Sequence, residues 1–201
     1  MTVNVPLRER QAQQVRVSVL DAVISELERN ATDDVSMADV AKAAGISLRT
    51  LYRYFPDRPS LLRAAGEHLY GSLGVPVEIT GPEDISKSLL DAARRLSTRP
   101  RLAHALVRTA AGQATRSGVR QPRVEAIAAA LSPLTERLDP DTASRATAVI
   151  THLCSASSWV TLAEESGLDD AEAQEAVAWA IDALISTLRQ TGRASISPPA
   201  N

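Results

Sequence analysis

Apolar residues return every three or four positions along most of the chain, a spacing that predicts helices rather than strands. The first such segment covers residues 8–30, where polar and charged residues fill the other faces. Its apolar positions are Val15, Val19, Ala22, Val23 and Leu27. A polar break, NATDD, ends the pattern. The sequence therefore predicts a first amphipathic helix over residues 8–30.

Two short helices follow, and each begins at a serine. Ser36 precedes an apolar-periodic segment and has Asp39 three residues later, which resembles a capping box with Asp in place of Glu. Gly45 breaks this second helix, and Ser47 is the natural cap of a third. The third helix ends at Phe55 because a proline follows it. Two short helices with a three-residue joint predict a helix-turn-helix.

The rest of the chain is also predicted to be helical. Asp57 can cap a fourth helix that runs to about Leu73. The segment 74–81, GVPVEITG, has no helical period and contains a proline, so we place a domain boundary there. Further helices are predicted over residues 83–98, 100–111, 122–138, 141–165 and 169–191. The fold class is therefore all-α, and residues 192–201 are predicted to be a disordered tail.

The third helix has a surface that suits a nucleic acid. Leu51 and Phe55 turn inward one helical turn apart, which leaves the other positions outside. A helix is narrow enough to enter the major groove, where guanidinium, hydroxyl and aromatic groups can contact bases and phosphates. The outward residues are Leu48, Arg49, Thr50, Tyr52, Arg53 and Tyr54. Arg58, at the start of the next helix, could bind a phosphate. A solvated face with one or two rings in the core is the alternative interpretation.

Composition narrows the classes of function. The net charge of the chain is −2. Residues 1–66 carry nine Lys or Arg and eight Asp or Glu, a charge of 9 − 8 = +1, and the remainder carries 13 − 16 = −3. Because this difference is small, any DNA contact depends on the local placement of arginines. One cysteine excludes an internal disulfide, and three distant histidines give no zinc-ligand spacing. No phosphate-cradling glycine loop, signal sequence or run of about 18 apolar residues occurs. We expect a cytoplasmic protein with no metal, no cofactor and no membrane contact.

The stretch DVSMADVAKAAGISLRTLYRYFPDRPSLL resembles the DNA-binding region of the tetracycline-repressor (TetR) family of transcriptional regulators. The resemblance covers about residues 19–62. The matching positions are Val40, Ala41, Ala44, Gly45, Ile46, Ser47, Thr50, Leu51, Tyr52, Tyr54, Phe55 and Leu61. It implies that Ser36 caps the second helix and touches phosphate, and that Arg58 replaces the usual Lys. The recognition helix then contains Ser47, Leu48, Arg49, Thr50, Tyr52 and Tyr54. Ala31 and Thr32 depart from the family's common Gly-aromatic pair.

The resemblance also implies the organisation of the chain. Residues 1–73 would form the helix-turn-helix domain, with 57–73 as its connecting helix, and 74–191 the effector-binding and dimerisation domain. A homodimer would form through residues 141–191, and an apolar stripe on the last helix fits this interface or an ordinary core. The stripe comprises Ala173, Ala176, Val177, Ala180, Ile181, Leu184, Ile185 and Leu188.

The function implied is a repressor that a small effector releases from a palindromic double-stranded DNA operator. An apolar or amphipathic effector is expected, with His104, His152 and Trp159 as candidate ligand-binding residues, although ordinary packing fits them as well. Two alternatives from other classes stay open. One is an enzyme that uses Cys154, although this residue would point away from His152 on a helix. The other is a helical interaction module or dimer without ligand-regulated DNA binding.

Overall fold

The computed structural model describes residues 6–29, 35–74 and 79–194. Within these ranges the chain forms eleven α-helices and no strand, which confirms the all-α prediction. The helices are α1 (Leu7–Arg29), α2 (Met37–Ala43), α3 (Leu48–Tyr54), α4 (Arg58–Ser72), α5 (Asp84–Ser97), α6 (Pro100–Arg108), α7 (Ala110–Ser117), α8 (Arg120–Thr135), α9 (Pro140–Leu153), α10 (Ala156–Ser166) and α11 (Asp170–Ala194). The departure at Ala31 and Thr32 and residues 75–78 of the predicted boundary lie outside the described residues.

The chain divides into two compact units, each built from two separate stretches of sequence. The first consists of Met1–Ser72 and Pro100–Val119, and the second of Leu73–Arg99 and Arg120–Asn201. Residues 100–119 therefore pack with the amino-terminal helices, whereas the sequence analysis grouped them with the carboxyl-terminal region. The assignment of functions to residues 1–73 and 74–191 stays a prediction.

In the first unit, α1 packs against α2, α4 and α6, while α2 contacts α3 and α7 contacts α4 and α6. The fully buried side chains of this core include Val19, Val23, Leu27, Val40, Leu51, Leu69, Leu102 and Leu106. Burial of such a side chain contributes about 1.5–3 kcal/mol. Helices of seven residues are unstable by themselves, so α2 and α3 depend on this core.

Two glycines set the distance between α4 and α7. A Cβ atom on Gly66 would lie 2.0 Å from the carbonyl oxygen of Thr115, and one on Gly118 would lie 2.5 Å from the carbonyl oxygen of Arg63. Both distances are below the 3.0 Å that real Cβ atoms respect. Only glycine fits at these positions while the two backbones stay this close.

The second unit is organised around α11, which packs against α5, α8, α9 and α10. Its fully buried side chains include Ile85, Ile127, Leu131, Ile150, Trp159 and Ile181. The start of α11 is a reciprocal capping box, because Asp169 accepts the Glu172 N–H at 2.9 Å and Glu172 accepts the Asp169 N–H at 3.0 Å. Gln174 then donates to Ser97 of α5 at 2.7 Å, which fixes the two helices to each other.

The predicted helix over residues 100–111 is wrong at its carboxyl end, because Thr109 divides α6 from α7. The Thr109 hydroxyl donates to the Ala105 carbonyl at 2.8 Å and accepts the Gly112 N–H at 2.9 Å. It therefore terminates one helix and caps the next. The polar sequence of α7, AAGQATRS, gave no apolar period from which this helix could be predicted.

The predicted single helix over residues 141–165 is also wrong. α9 and α10 meet at a break around Cys154 and Ser155 with a bend of 68°. Ser158 donates to the His152 carbonyl at 2.7 Å, so side-chain hydroxyls replace helical hydrogen bonds there. In the described part of the chain, no single helix is long and apolar enough to cross a membrane. Only α9 and α10 taken together, as a bent pair, reach the required length and composition.

The last helix, α11, continues to Ala194, so residues 192–194 of the predicted tail are helical. Residues 195–201 of that tail lie outside the described residues.

Candidate nucleic-acid interface

Two serines and one glycine define the helix-turn-helix, as the sequence predicts. The Ser36 hydroxyl accepts the Asp39 N–H at 3.1 Å and donates to the Asp39 carboxylate, which is the capping pair in a modified form. Gly45 has a φ of 67°, in the left-handed region that favours glycine. Ser47 then accepts the Thr50 N–H at 3.1 Å and starts α3. These local interactions fix the course of the backbone between α2 and α3.

Leu51 and Phe55 anchor α3 in the core of the first unit. Leu51 is fully buried and Phe55 is 2% exposed, as predicted. The guanidinium of Arg16, on α1, lies over the Phe55 ring with 4.6 Å between Cζ and the ring centroid. Arg16 is a contributor that the sequence analysis missed, because 39 positions separate it from Phe55 (55 − 16) and no local pattern relates the two. The burial of Phe55 and the contact of its ring with Arg16 therefore hold the carboxyl end of α3.

The six residues predicted to face outward divide into two groups. Leu48, Arg49, Tyr52 and Arg53 are exposed, and we call these four residues the α3 face. Leu48 and Tyr52 are one helical turn apart, as are Arg49 and Arg53, so the face consists of an apolar pair beside a cationic pair. Thr50 and Tyr54 form a third such pair on the other side of the helix and are half-buried.

The hydroxyl groups at the start of α3 are engaged with each other. Ser47 Oγ and Thr50 Oγ1 are 2.8 Å apart and share a hydrogen bond in which either can donate. Arg53 lies over the ring of Tyr54, with 5.3 Å between Cζ and the centroid. The α3 sequence LRTLYRY carries two arginines and no carboxylate, so the charge of its exposed surface is positive.

Arg58 joins the fourth helix to the start of the second. Its Nε donates to the Val35 carbonyl at 2.8 Å in a part-buried position, and Val35 directly precedes the cap residue Ser36. The neighbouring Asp57 accepts the Ser60 N–H at 2.7 Å and caps α4. This hydrogen bond, with the Ser60 hydroxyl and the charge of Arg63, lowers the pKa of Asp57 below its ordinary value of 3.8. A carboxylate therefore sits beside Arg58 at neutral pH.

The candidate ligand-binding residues are divided between the two units. His104 is exposed on α6 in the first unit, whereas His152 is exposed on α9 and Trp159 is 1% exposed on α10 in the second. Trp159 acts as a core side chain in this structure. Ligand binding by these three residues stays a prediction. For Trp159, the burial of the side chain agrees with ordinary packing.

Cys154 lies at the break between α9 and α10. Burial raises the pKa of its thiol to about 12, with Arg123 opposing this effect. A thiol with this pKa is protonated at neutral pH and is a poor nucleophile, which disfavours the enzyme hypothesis built on it. Among the described residues, no group of three His, Cys, Asp or Glu side chains could hold a metal ion.

A comparison with known protein families matches the part of the chain that contains the helix-turn-helix. The family model described as "Bacterial regulatory proteins, tetR family" matches residues 19–65. The curated HTH-type transcriptional repressor LfrR of Mycolicibacterium smegmatis (strain ATCC 700084 / mc(2)155) is 32% identical over 83 residues. That alignment covers 41% of this chain and 41% of LfrR, so less than half of the relative's length is matched.

A solved structure extends the similarity to nearly the whole chain. The tetR-family transcriptional regulator from Streptomyces coelicolor aligns with a TM-score of 0.55 over 94% of this chain and 92% of its own. The sequence identity is 22%, so this similarity concerns the fold.

Proposed function

We propose that this chain is a DNA-binding transcriptional repressor of the tetR family of bacterial regulatory proteins and that it reads its operator with α3. The observation that carries the proposal is the α3 face, on which Leu48, Arg49, Tyr52 and Arg53 are all exposed on a helix without a carboxylate. An α-helix with its side chains is about 10–12 Å across, and the major groove is about 12 Å wide.

The residues around the face hold it in position. Leu51 and Phe55 are buried and anchor α3, and the caps at Ser36 and Ser47 fix where α2 and α3 begin. A base-reading helix needs this kind of support, because its side chains must reach hydrogen-bonding distance without further ordering. The proposed base contacts are those of the α3 face, while Ser47, Thr50 and Tyr54 line its edges.

Ser36 and Arg58 enter the proposal mainly as positioning residues. The Ser36 hydroxyl is bonded to the Asp39 carboxylate, whose negative charge opposes a phosphate at that point. The Arg58 Nε is bonded to the Val35 carbonyl, so this part of the guanidinium is used inside the protein. The sequence suggested that Ser36 and Arg58 contact phosphates. We propose that their main role is to hold α2 and α4 in position and that any phosphate contact is secondary.

We propose a homodimer through residues 141–191. On α11, Ala173, Val177, Ile181, Ile185 and Leu188 are buried inside the second unit, so these residues follow the ordinary-core interpretation. The remainder of the stripe is open: Leu184 is 36% exposed, Ala176 and Ala180 are half-buried, and Trp179 beside them is 73% exposed. A two-fold dimer would place two copies of α3 on a palindromic operator.

An effector would complete the regulatory cycle. We propose that residues 74–191 bind a small apolar or amphipathic molecule and that the bound state has a lower affinity for DNA. A tenfold loss of DNA affinity requires about 1.4 kcal/mol of coupling between the two sites. Induction then follows from dissociation of the repressor.

The experiment that tests this proposal is selection of genomic DNA fragments of the source organism by the full-length protein, followed by titration of an enriched duplex. We expect a linear fall of log affinity with log salt concentration, which reports phosphate contacts. Arg49→Ala should weaken binding to the enriched duplex by about 1–3 kcal/mol and blur its sequence preference. Arg94→Ala, which removes an exposed arginine of α5, is the matched control and should leave binding unchanged.

The result that would overturn the proposal is a correctly folded protein that enriches no fragment at low ionic strength. Equal losses for Arg49→Ala on the enriched duplex and on a random duplex would remove the assignment of this arginine to a base, while DNA binding itself would stand.

A further inference from the structure

We propose that Leu48 and Tyr52 recognise the C5-methyl groups of thymines in the major groove, so that part of the operator sequence is read through apolar contact. This inference rests on the proposed DNA binding and deepens it by naming the base feature that α3 selects. It starts from an unusual property of this helix, which is that two large apolar side chains face outward.

The exposure of these two side chains has no explanation inside the first unit. Leu48 is 42% exposed and Tyr52 is 47% exposed, although Leu51 between them is fully buried. Among the described residues of this unit, only Leu7 is a further large hydrophobic side chain with comparable exposure, and it lies in the first turn of α1. Leu48 and Tyr52 are neighbours on the helix surface and thus form one continuous apolar patch.

The cationic pair beside this patch indicates what covers it. Arg49 and Arg53 run parallel to Leu48 and Tyr52 on the same exposed side of α3, and the helix carries no carboxylate. A protein partner with an apolar surface would leave these two charges to be desolvated, whereas a DNA groove supplies acceptors and phosphates for them. The charge complementarity therefore favours duplex DNA as the occupant.

The major groove offers one apolar group to such a patch. Thymine presents a C5-methyl group there, and the other base edges present hydrogen-bond donors and acceptors. The hydroxyls nearest the patch are engaged, because Ser47 and Thr50 bond to each other. Leu48 has only carbon to offer, and Tyr52 offers its ring. Arg49 and Arg53 are suited to guanine on the adjacent base pairs.

The test begins with selection of a preferred duplex from a random-sequence library by the full-length protein. Each thymine of the enriched duplex is then replaced in turn by 2′-deoxyuridine, which retains base pairing and lacks only the methyl group. Removal of one buried methyl group is expected to lower the affinity about fourfold at one or more thymines in each half-site.

Variants identify the side chains that sense the methyl group. With Leu48→Ala or Tyr52→Ala, deoxyuridine and thymine should bind equally at the position that the lost side chain covers. Tyr52→Phe should keep the wild-type response, because the ring is retained. Leu7→Ala removes the same atoms as Leu48→Ala from a site on α1 that is 63% exposed, and it should respond to deoxyuridine as the wild type does. The exposure of Leu48 predicts unchanged thermal unfolding for its alanine variant.

The outcomes separate this inference from the function on which it rests. An enriched duplex in which no thymine methyl affects affinity would overturn the inference and leave DNA binding intact. A methyl effect that persists in both alanine variants would also overturn it, because other residues would then read the base. Failure to enrich any duplex at low ionic strength would overturn the proposed function itself.

Discussion

The Arg58 guanidinium donates from Nε to the carbonyl oxygen of Val35 at 2.8 Å and thereby ties the first residue of α4 to the residue before the α2 cap. The bond spans 23 positions of sequence. The start of α4 is therefore bonded directly to the residue that precedes the cap of α2. This link has consequences that can be measured without DNA.

Arg58→Ala should lower the free energy of unfolding by about 1–2 kcal/mol, because a part-buried hydrogen bond from a charged donor is lost. Denaturant titration of the free protein measures this change. Arg49→Ala, on the exposed α3 face, is the matched control and should shift stability by less than about 0.5 kcal/mol. Unchanged stability in Arg58→Ala, combined with a salt slope lower by about one, would show a phosphate ligand instead of a positioning residue.

Ser47 allows stability and DNA binding to be separated at one position. Ser47→Ala removes the acceptor for the Thr50 N–H and should cost about 1 kcal/mol of stability. Ser47→Asp should retain the cap, because Asp is an equally good N-cap residue. The new carboxylate would nevertheless repel DNA phosphates, so Ser47→Asp should be as stable as the wild type and bind DNA more weakly. Wild-type DNA affinity in Ser47→Asp would remove the amino end of α3 from the interface.

Gly66 and Gly71 provide a matched pair of substitutions in α4. Gly66→Ala should destabilise the protein by about 1–3 kcal/mol, because its Cβ would overlap the Thr115 carbonyl oxygen. Gly71→Ala has no atom within 4 Å of its new Cβ and should stabilise the helix by up to about 1 kcal/mol. Thermal unfolding of both variants gives the comparison. A stable Gly66→Ala protein would mean that α7 can move away from α4 at little cost.

Trp179 is the most informative position for self-association, because its indole is 73% exposed on α11. If it anchors the dimer, Trp179→Asp should raise the dimer dissociation constant by well over tenfold, as truncation of an interface tryptophan typically does. Trp179→Phe should retain most of the affinity. Sedimentation equilibrium measures the dissociation constants, and a wild type that stays monomeric at high micromolar concentration would contradict the proposed dimer.

Acid should weaken the capping of α4. The Ser60 N–H and hydroxyl hold the pKa of Asp57 below its ordinary value of 3.8 in the folded protein. A lowered folded-state pKa means that the stabilising effect is complete above pH 3.8 and is lost as the pH falls through 3.8 towards the folded value. Asp84 and Asp139 have lowered pKa values for the same reason, so they contribute to the same acid transition.

The contribution of Asp57 is isolated by Asp57→Ser, which retains a neutral cap. The difference in melting temperature between wild type and variant should be constant above about pH 5. Below pH 3.8 the wild type should lose more stability than the variant, because only the wild type has this carboxylate to protonate. A difference that does not change with pH would show that this carboxylate does not stabilise the fold through its charge.

Interactions within three or four residues made the helix-turn-helix predictable from sequence. The caps at Ser36 and Ser47, the positive φ at Gly45 and the inward Leu51 and Phe55 are all local features, and the structure has each of them. The same locality explains the errors at Thr109 and Cys154. At those positions, side-chain hydroxyl groups form hydrogen bonds with backbone groups that would otherwise bond within the helix, and the spacing of apolar residues does not predict such bonds.

By itself, the sequence determined the all-α class and the identity of the residues on α3, because periodicity and capping act through neighbours along the chain. The tertiary structure alone decided that Leu48, Arg49, Tyr52 and Arg53 are exposed whereas Thr50 and Tyr54 are half-buried. It also decided the placement of Arg16 over Phe55, the bond from Arg58 to Val35 and the packing of residues 100–119 with the amino-terminal helices. Residues this far apart in sequence come into contact only when burial of apolar surface packs their helices together, and no local sequence pattern predicts such a contact.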